Sequence, residues 1–430
     1  MPGRHRQLKT KRWEKLTSPV NRHRINSPWF VAVSGLGATA LSLLSAPLIA
    51  RGLGPDGRGY SAAVLAAVAI VPIAFGLGMP IASRFLASSM ADHRPLVRTI
   101  RLWSVLVTPA CVVVAAILVH TLFQELHTLD RWQIAVALSA TPLFMLWVAE
   151  RDIAIAQERY ATVGIITLTQ PTVYVATIAA AYLQGTLTVG AVAVGSTAGA
   201  MAAAAVSGLS MDTSARGPRS ALRPLLKRSL SFFGSQFSDT LSSRLDQVIA
   251  LPLIGAEQAG YYAIAVTLIT APNAIAVAIG TSAFNTLAKN LDRVTQRRVI
   301  FRSSVQGLGA GAVCALLIAV TSPFVVPLIF GGSFGPAVLV VIAAVPGTLF
   351  MMSSTVSSLM LSAQGRGWTM SSTQLGGLAL KILSLFALQH YSAIGASIAA
   401  SLGFALSAAL GFLFLLLQPR IGQPKSNTSN

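Results

Sequence analysis

Twelve apolar stretches, each close to 20 residues long, recur along the 430 residues of the chain. A helix needs about 20 apolar residues to cross a bilayer, because it rises about 1.5 Å per residue. Only 10% of the residues are charged, whereas a soluble domain has about 25%. The sequence therefore predicts an all-α polytopic membrane protein with twelve spans, at residues 29–50, 60–86, 100–122, 133–149, 163–183, 187–209, 229–254, 261–287, 305–326, 337–361, 370–388 and 393–417.

The Lys and Arg residues are distributed unevenly around these spans. If the N-terminus is cytoplasmic, 27 of the 32 lie on the cytoplasmic side. The opposite side holds Arg51, Arg58 and Arg131, and two further residues, Arg244 and Lys381, lie within spans. Cationic residues concentrate in cytoplasmic loops, so this pattern predicts a multi-pass protein of the cell membrane with both termini in the cytoplasm. Orientation then explains the net charge of +19, which removes the case for nucleic acid as a partner.

One short pattern, G-x-[D/E]-x-x-G-Y, occurs twice, at residues 54–60 and 255–261. Pro72 and Pro272 are separated by a similar distance, close to 200 residues. Six spans fit into that distance, and an even number gives both halves the same orientation, as in a parallel repeat. The predicted domains are a basic cytoplasmic N-terminal arm (1–28), an N-terminal six-helix lobe (29–209), a cytoplasmic linker (210–228), a C-terminal six-helix lobe (229–417) and a cytoplasmic tail (418–430).

The seventh span, 229–254, contains three ionisable residues, Asp239, Arg244 and Asp246. An ionisable side chain near the bilayer centre costs roughly 2.5–3.5 kcal/mol, so such residues face protein, water or each other. Lys381 is the other ionisable residue assigned to a span interior. The two acids and two bases either neutralise each other as ion pairs or line a water-filled cavity whose cations meet an anionic group. The functional bias of intramembrane charge favours the cavity.

Other polar residues are predicted to share that cavity. Gln236, Asp239, Ser243 and Asp246 follow a 3-4-3 spacing, which places them on one face of a helix. Gln247 lies on an adjacent stripe with Arg244, and Asn273 follows Pro272 in the next span. For any single hydroxyl or amide, a hydrogen bond that packs one helix against another is the favoured role.

Motifs for covalent chemistry are missing from the sequence. We find no Walker A loop, no H-E-x-x-H, no paired-carboxylate site and no nucleophile elbow. The six histidines lie in tails, loops or span ends, and no two are spaced as metal ligands. The sequence therefore predicts that the protein is not an enzyme and has no catalytic residue, metal site or cofactor.

Three segments resemble one family. Residues 50–60, ARGLGPDGRGY, resemble the first loop of polysaccharide-unit flippases of the multidrug/oligosaccharidyl-lipid/polysaccharide (MOP) exporter superfamily. Residues 243–248, SRLDQV, with the loop that follows, are similar to the seventh helix of that family, and residues 327–331, PLIFG, are similar to its ninth-to-tenth connection. The resemblance implies a MATE-like fold of two six-helix lobes around a central cavity. It also implies movement of polyprenyl-pyrophosphate-linked oligosaccharide to the outer leaflet by alternating access.

Such a substrate has an anionic pyrophosphate, a hydroxyl-rich head and an apolar tail. We predict that Arg244 and Lys381 contact the pyrophosphate and that Asp239 or Asp246 carries a coupling H⁺ or Na⁺. The full set of predicted substrate-binding residues is Arg244, Lys381, Gln236, Ser243, Gln247 and Asn273. The predicted partners are the lipid-linked oligosaccharide, membrane lipid and other membrane proteins of polysaccharide assembly.

Rival functions remain open at this stage. A multidrug antiporter of the same superfamily would use an acidic cavity for a cationic drug, whereas the four charges here sum to zero. A peptidoglycan-precursor flippase usually has two further helices, which this sequence lacks. An integral-membrane glycan polymerase or glycosyltransferase would need a large outer loop or an acidic catalytic cluster, and the predicted outer loops are short.

Overall fold

The computed structural model describes residues 27–90, 92–214, 216–287 and 292–417. Most of the basic N-terminal arm, Lys289 and the C-terminal tail lie outside the described residues. Within them the chain forms fourteen α-helices and two short 3₁₀ turns, and no strand. The helices are α1 (Pro28–Gly76), α2 (Met79–Ala87), α3 (Arg94–Leu122), α4 (Thr128–Ser139), α5 (Pro142–Ala156), α6 (Tyr160–Leu183), α7 (Val189–Ser210), α8 (Leu222–Ile254), α9 (Ala256–Thr270), α10 (Asn273–Leu287), α11 (Arg293–Phe330), α12 (Ala337–Ala363), α13 (Gly367–Ala387) and α14 (Ser392–Leu416).

All twelve predicted spans are occupied by helix, which confirms the prediction of an all-helical polytopic membrane protein. Nine stretches of the described chain are long and apolar enough to cross a membrane, with the first two spans joined in one of them. Helices α8 and α13 are not among the nine. These are the helices that carry Asp239, Arg244, Asp246 and Lys381, the four intramembrane charges assigned from sequence.

Two compact units make up the described chain. Residues 27–45 and Val71–Phe233 form unit 1, and Ala46–Ile70 with residues 234–417 form unit 2. Helix α8 therefore contributes to both units, and Ala46–Ile70, which precedes most of unit 1 in the sequence, packs with unit 2. The predicted domain boundaries at residues 209 and 229 stay predictions.

In unit 1 the residues that follow α7 are bound to the start of α3. Arg98 donates from Nε to the Ser214 carbonyl at 2.9 Å and from Nη1 to the Pro218 carbonyl at 3.0 Å. Arg101 donates from Nη1 to the Thr213 carbonyl at 2.9 Å. The first part of the predicted linker, residues 211–214 and 216–221, is thus bound to α3, and we call it the strap. Helix α8 begins at Leu222, seven residues before the predicted span.

The inventory of intramembrane charge needs a correction in unit 1. Glu150 is 0% exposed and lies in α5, inside a stretch apolar enough to span a membrane. Its carboxylate accepts from Arg101 Nε at 2.8 Å and from the Ser207 hydroxyl at 2.6 Å. Sequence analysis placed Glu150 just beyond the fourth span, because the apolar run ends there while the helix continues to Ala156.

In unit 2 the two copies of the G-x-[D/E]-x-x-G-Y pattern lie against each other. A Cβ on Gly59 would come within 2.0 Å of the Ala256 carbonyl oxygen, and a Cβ on Gly260 within 2.0 Å of the Pro55 carbonyl oxygen. The second glycine of each pattern is therefore required by close backbone approach. The first glycine of each has positive φ, +67° at Gly54 and +80° at Gly255, which favours glycine for a conformational reason.

Two arginines add polar contacts to the same segment. Arg51 donates to the carbonyls of Leu328 and Ile329, the former by a short bond and the latter at 2.9 Å. Arg58, which is 6% exposed, donates to the Thr267 hydroxyl at 3.0 Å. These are two of the three cations that the predicted topology places opposite the basic side, and both help to hold Ala46–Ile70 in unit 2.

A second repeated element, which the sequence analysis missed, lies immediately before α6 in unit 1 and immediately before α13 in unit 2. The residues are Ala-Gln-Glu-Arg at 156–159 and Ala-Gln-Gly-Arg at 363–366. Arg159 donates to the Ser210 carbonyl at 2.8 Å within unit 1, and Arg366 donates to the Phe414 carbonyl at 2.6 Å within unit 2. The arginine therefore satisfies a backbone carbonyl in the last turn of α7 in the first copy and of α14 in the second, where helical hydrogen bonding leaves carbonyls unpaired.

We expect Arg159→Ala and Arg366→Ala each to lower the free energy of unfolding by about 1.5–3 kcal/mol, because each removes a charge-assisted hydrogen bond. Denaturant unfolding in detergent measures the loss. Since the two contacts lie in different units, the losses in the double variant should add. Arg94→Ala is the matched control, because the exposed Arg94 side chain donates no hydrogen bond to the described residues. A loss in the control equal to that in either variant would contradict the assignment.

Candidate functional site

A cavity of about 280 Å³ opens within unit 2 beside α8. Eleven of its sixteen lining residues are polar or charged, so it is hydrophilic although it lies among helices of membrane-spanning length. The eleven are Asp239, Ser242, Ser243, Arg244, Asp246, Tyr262, Thr270, Asn273, Ser354, Thr355 and Gln374. The apolar remainder includes Met351 and Phe404.

The wall formed by α8 follows from its sequence. Asp239, Ser243 and Asp246 recur every three to four residues and therefore share a face. Arg244 reaches the same cavity from a neighbouring stripe of the helix. The wall formed by α9 and α10 is interrupted at Pro272, which lies between Thr270, the last residue of α9, and Asn273, the first of α10. Proline cannot donate in the helical pattern, which explains the break.

Asp246, which lines this cavity, forms a buried ion pair with Lys381. Lys381 Nζ lies 3.2 Å from Asp246 Oδ2 and donates to the Ser242 carbonyl at 2.7 Å. The Tyr262 hydroxyl donates to the same Asp246 oxygen at 2.5 Å. The ammonium group also lies 4.2 Å from the centre of the Phe404 ring. Both charged residues are almost fully buried, at 1% exposure for Lys381 and 3% for Asp246.

One carboxylate oxygen of Asp246 has no hydrogen-bond partner among the described residues. Asp246 Oδ1 is buried and accepts no hydrogen bond from the described residues. A buried carboxylate oxygen without a partner is costly, and Asp246 is a lining residue of the cavity. A proton or a small cation that reaches the cavity would satisfy this oxygen.

Arg244 and Asp239 differ from the buried pair, since both are exposed residues of α8. Neither forms an ion pair or a hydrogen bond through its side chain with the described part of the chain. Both line the cavity, so it presents one unneutralised guanidinium and one unneutralised carboxylate. Asn273 is held in place nearby, because its Oδ1 accepts from the Thr355 hydroxyl at 2.9 Å.

The structure thus brings five of the eight predicted site residues to one cavity: Arg244, Ser243, Asn273, Asp239 and Asp246. Gln236, Gln247 and Lys381 are not among its lining residues. Lys381 is instead buried and paired with Asp246. The ion-pair interpretation therefore describes these two charges. Of the four intramembrane charges assigned from sequence, Asp246 and Lys381 therefore neutralise each other, and Asp239 and Arg244 line the cavity without an ion-pair partner among the described residues.

Tyr262 and Gln374 are among the residues of the site that the sequence analysis did not name. Tyr262 follows the repeated pattern directly, and its pairing with Asp246 crosses the turn between α8 and α9. Gln374 lies seven residues before Lys381, which places both on one face of α13. Gln374 Nε2 donates to the Ser358 hydroxyl at 3.0 Å. The seven-residue spacing between Gln374 and Lys381 is the sequence pattern that could have identified Gln374 as a residue of the site.

Comparison with known proteins gives a sequence match and several structural matches. The profile of a family described as "Polysaccharide biosynthesis protein" matches residues 28–291. No curated protein sequence matches the chain. Among solved structures, the lipid II flippase MurJ in an inward closed conformation is similar with a TM-score of 0.73 and 14% identity, over 91% of this chain and 88% of that one.

Multidrug transporters share the fold as well. An inward-facing multidrug resistance MATE family transporter of the MOP superfamily gives a TM-score of 0.70 at 12% identity, over 90% of this chain and 97% of that one. A MOP superfamily transporter from Pyrococcus furiosus, whose binding pocket is described as reversed in polarity, gives 0.59 at 12% identity, over 90% of this chain and 93% of that one. At these identities the matches establish a common fold, as the resemblance implied.

Proposed function

Because the chain belongs to the polysaccharide biosynthesis protein family, we propose that it is a flippase for a polyprenyl-pyrophosphate-linked oligosaccharide. It moves this lipid from the cytoplasmic to the outer leaflet of the cell membrane by alternating access, for assembly of a cell-surface polysaccharide. Both termini are cytoplasmic in this proposal. The protein transports its substrate without converting it chemically, alongside other membrane proteins of polysaccharide assembly.

The observation that carries the proposal is the cavity with an unneutralised Arg244. A pyrophosphate needs a cation with several donors, which a guanidinium provides. The sugar head needs hydroxyls, amides and a carboxylate as hydrogen-bonding partners, and Ser243, Asn273 and Asp239 offer them. An apolar polyprenyl tail needs no polar site and can remain in lipid.

The geometry refines the roles predicted for the two intramembrane cations. Arg244 faces the cavity and is assigned to the pyrophosphate. Lys381 already bonds Asp246 and the Ser242 carbonyl, so we assign it to holding Asp246 rather than to the substrate. Gln236 and Gln247 keep no assigned contact.

Coupling to an ion gradient is assigned to the two acids. Asp246 offers a buried oxygen without a hydrogen-bond partner among the described residues, and Asp239 offers a carboxylate exposed to the cavity. Either H⁺ or Na⁺ fits these groups. Export that is insensitive to both gradients would remove this role.

A complementation assay tests the flippase. The gene is deleted, and wild type, Arg244→Ala or the control Arg94→Ala is supplied, while lipid-linked precursor on the cytoplasmic face and glycan at the surface are measured. We expect Arg244→Ala to reduce export roughly tenfold or more, because a charge-assisted hydrogen bond contributes about 1.5–3 kcal/mol. Arg94→Ala, which removes an exposed cation outside the cavity, should export normally.

Normal export by Arg244→Ala would contradict the pyrophosphate assignment. Unchanged surface glycan in the deletion strain, together with greater sensitivity to cationic dyes, would favour a multidrug antiporter instead. Gradient-driven efflux of such a dye from vesicles containing the purified protein would confirm that rival.

A further inference from the structure

The arginines near the starts of α3 and α11, at the predicted cytoplasmic side, are used differently. In unit 1, Arg98 and Arg101 of α3 donate to backbone carbonyls. In unit 2, helix α11 carries Arg297, Arg298 and Arg302 near its start. All three are exposed, and their side chains donate no hydrogen bond to the residues that the structure describes. Three guanidinium groups at the start of α11 therefore remain available to a ligand.

Apolar side chains are exposed on the same turns of α11. Val294 is 67% exposed, Phe301 is 72% exposed and Val305 is 52% exposed, whereas Ile300 and Ser303 are buried. At 100° per residue, the exposed side chains fall within an arc of about 140°. The apolar ones occupy the centre of that arc, with Arg297 on one side and Arg298 and Arg302 on the other. A water-facing helix would show the opposite arrangement, with charge at the centre.

The length of α11 places these turns at the level of lipid headgroups. The helix has 38 residues, which corresponds to about 57 Å, whereas the hydrocarbon core is about 30 Å thick. Its predicted span begins at residue 305. The turns that carry the arginines therefore extend beyond the hydrocarbon core, where long cationic side chains reach phosphate while their apolar neighbours stay in lipid.

We propose that Val294, Arg297, Arg298, Phe301, Arg302 and Val305 form a binding surface for the phosphate headgroups of anionic phospholipids in the adjoining leaflet. We call these six residues the α11 arginine surface. Its charge complements a leaflet that contains acidic lipid, and polybasic segments next to membrane spans bind such leaflets. Its apolar centre faces the lipid, and Val305 at the end nearest the predicted span reaches the acyl chains. The spread of the three guanidinium groups around that centre suits several separate headgroups rather than one pyrophosphate. The proposal does not depend on the transported substrate.

Lipid binding to the full-length protein tests this surface. Delipidated protein in detergent is titrated with dioleoylphosphatidylglycerol, dioleoylphosphatidylcholine or undecaprenyl pyrophosphate, and bound lipid is counted by native mass spectrometry. The variants are Arg297→Gln/Arg298→Gln/Arg302→Gln and the matched control Arg94→Gln/Arg216→Gln/Arg219→Gln. The control removes the same charge from exposed positions of α3 and the strap.

We expect the α11 triple variant to bind phosphatidylglycerol about tenfold more weakly or worse than wild type, with phosphatidylcholine binding unchanged and the control like wild type. Equal phosphatidylglycerol binding by wild type and the α11 variant overturns the proposal, as does an equal loss in the control. Loss of undecaprenyl pyrophosphate alone overturns it too, because the surface would then receive substrate. Should the triple variant not fold, Arg298→Gln and Arg302→Gln singly must each weaken phosphatidylglycerol binding several-fold, and the triple Lys variant must retain it.

Discussion

Replacement of Lys381 by Met is expected to destabilise the protein by about 3–5 kcal/mol, which is the usual cost of leaving one member of a buried ion pair alone. Met keeps the length of the side chain, so little cavity is created. The variant loses the contact to Asp246 Oδ2, the bond to the Ser242 carbonyl and the position over Phe404. Denaturant unfolding of purified protein in detergent, followed by intrinsic fluorescence, measures the change.

The double variant Asp246→Asn/Lys381→Met separates the ion pair from other effects. Removal of both charges of a buried pair is often close to neutral, and Asn can still accept from the Tyr262 hydroxyl. We therefore expect the double variant to recover most of the stability that Lys381→Met loses. Arg298→Met is the matched control, since it removes an exposed cation from a helix at little cost. A double variant as unstable as Lys381→Met would show that the loss does not come from leaving the Asp246 charge unpaired.

The second large effect is expected where the two copies of the G-x-[D/E]-x-x-G-Y pattern approach each other. Gly260→Val should cost about 3 kcal/mol or more, at the upper end for overpacking, because even a Cβ would lie 2.0 Å from the Pro55 carbonyl oxygen. Gly59→Ala and Gly260→Ala both push apart the same two segments, residues 54–60 and 255–261. Their combined cost should therefore be smaller than the sum of the separate costs, since the first substitution already makes room for the second.

Gly309→Ala provides the comparison for these glycine variants. Gly309 lies inside α11, and a Cβ there would meet nothing within 4 Å. Ala is better than Gly in a helix interior by roughly 0.5–1 kcal/mol, so this variant should be neutral or stabilised. Additive losses at Gly59 and Gly260 would mean that the two close approaches are independent, against the geometry described above.

The helices and their repeat could be predicted because both depend on local information. Span length, apolar content and the placement of Lys and Arg are visible within short windows. The repeat appears as matching patterns, and the crossing of Gly59 and Gly260 explains why those patterns keep glycine. The extension of α8 back to Leu222 could not be predicted in this way, because its first turns carry Arg223, Lys227 and Arg228 and look like a loop.

The charges of the site could be predicted only in part. Residues two apart on a helix do not face each other, so the sequence alone argues against an ion pair between Arg244 and Asp246. That Lys381, 135 residues after Asp246 in the chain, comes to lie beside its carboxylate depends on how α13 packs, which no local pattern records. Glu150 shows the same limit, since its partners Arg101 and Ser207 are distant in sequence.

The position of Ala46–Ile70 has a consequence for synthesis of the protein. Its partners in unit 2, from Ala256 to Ile329, leave the ribosome some 200 residues or more later. At about 5–20 residues per second, this delay lasts roughly 10–40 s. During that time Ala46–Ile70 has been made, but the part of unit 2 that it packs with has not. Unit 1 can therefore form while the chain is being made, whereas Ala46–Ile70 reaches its final packing only after α9 and α11 have been synthesised.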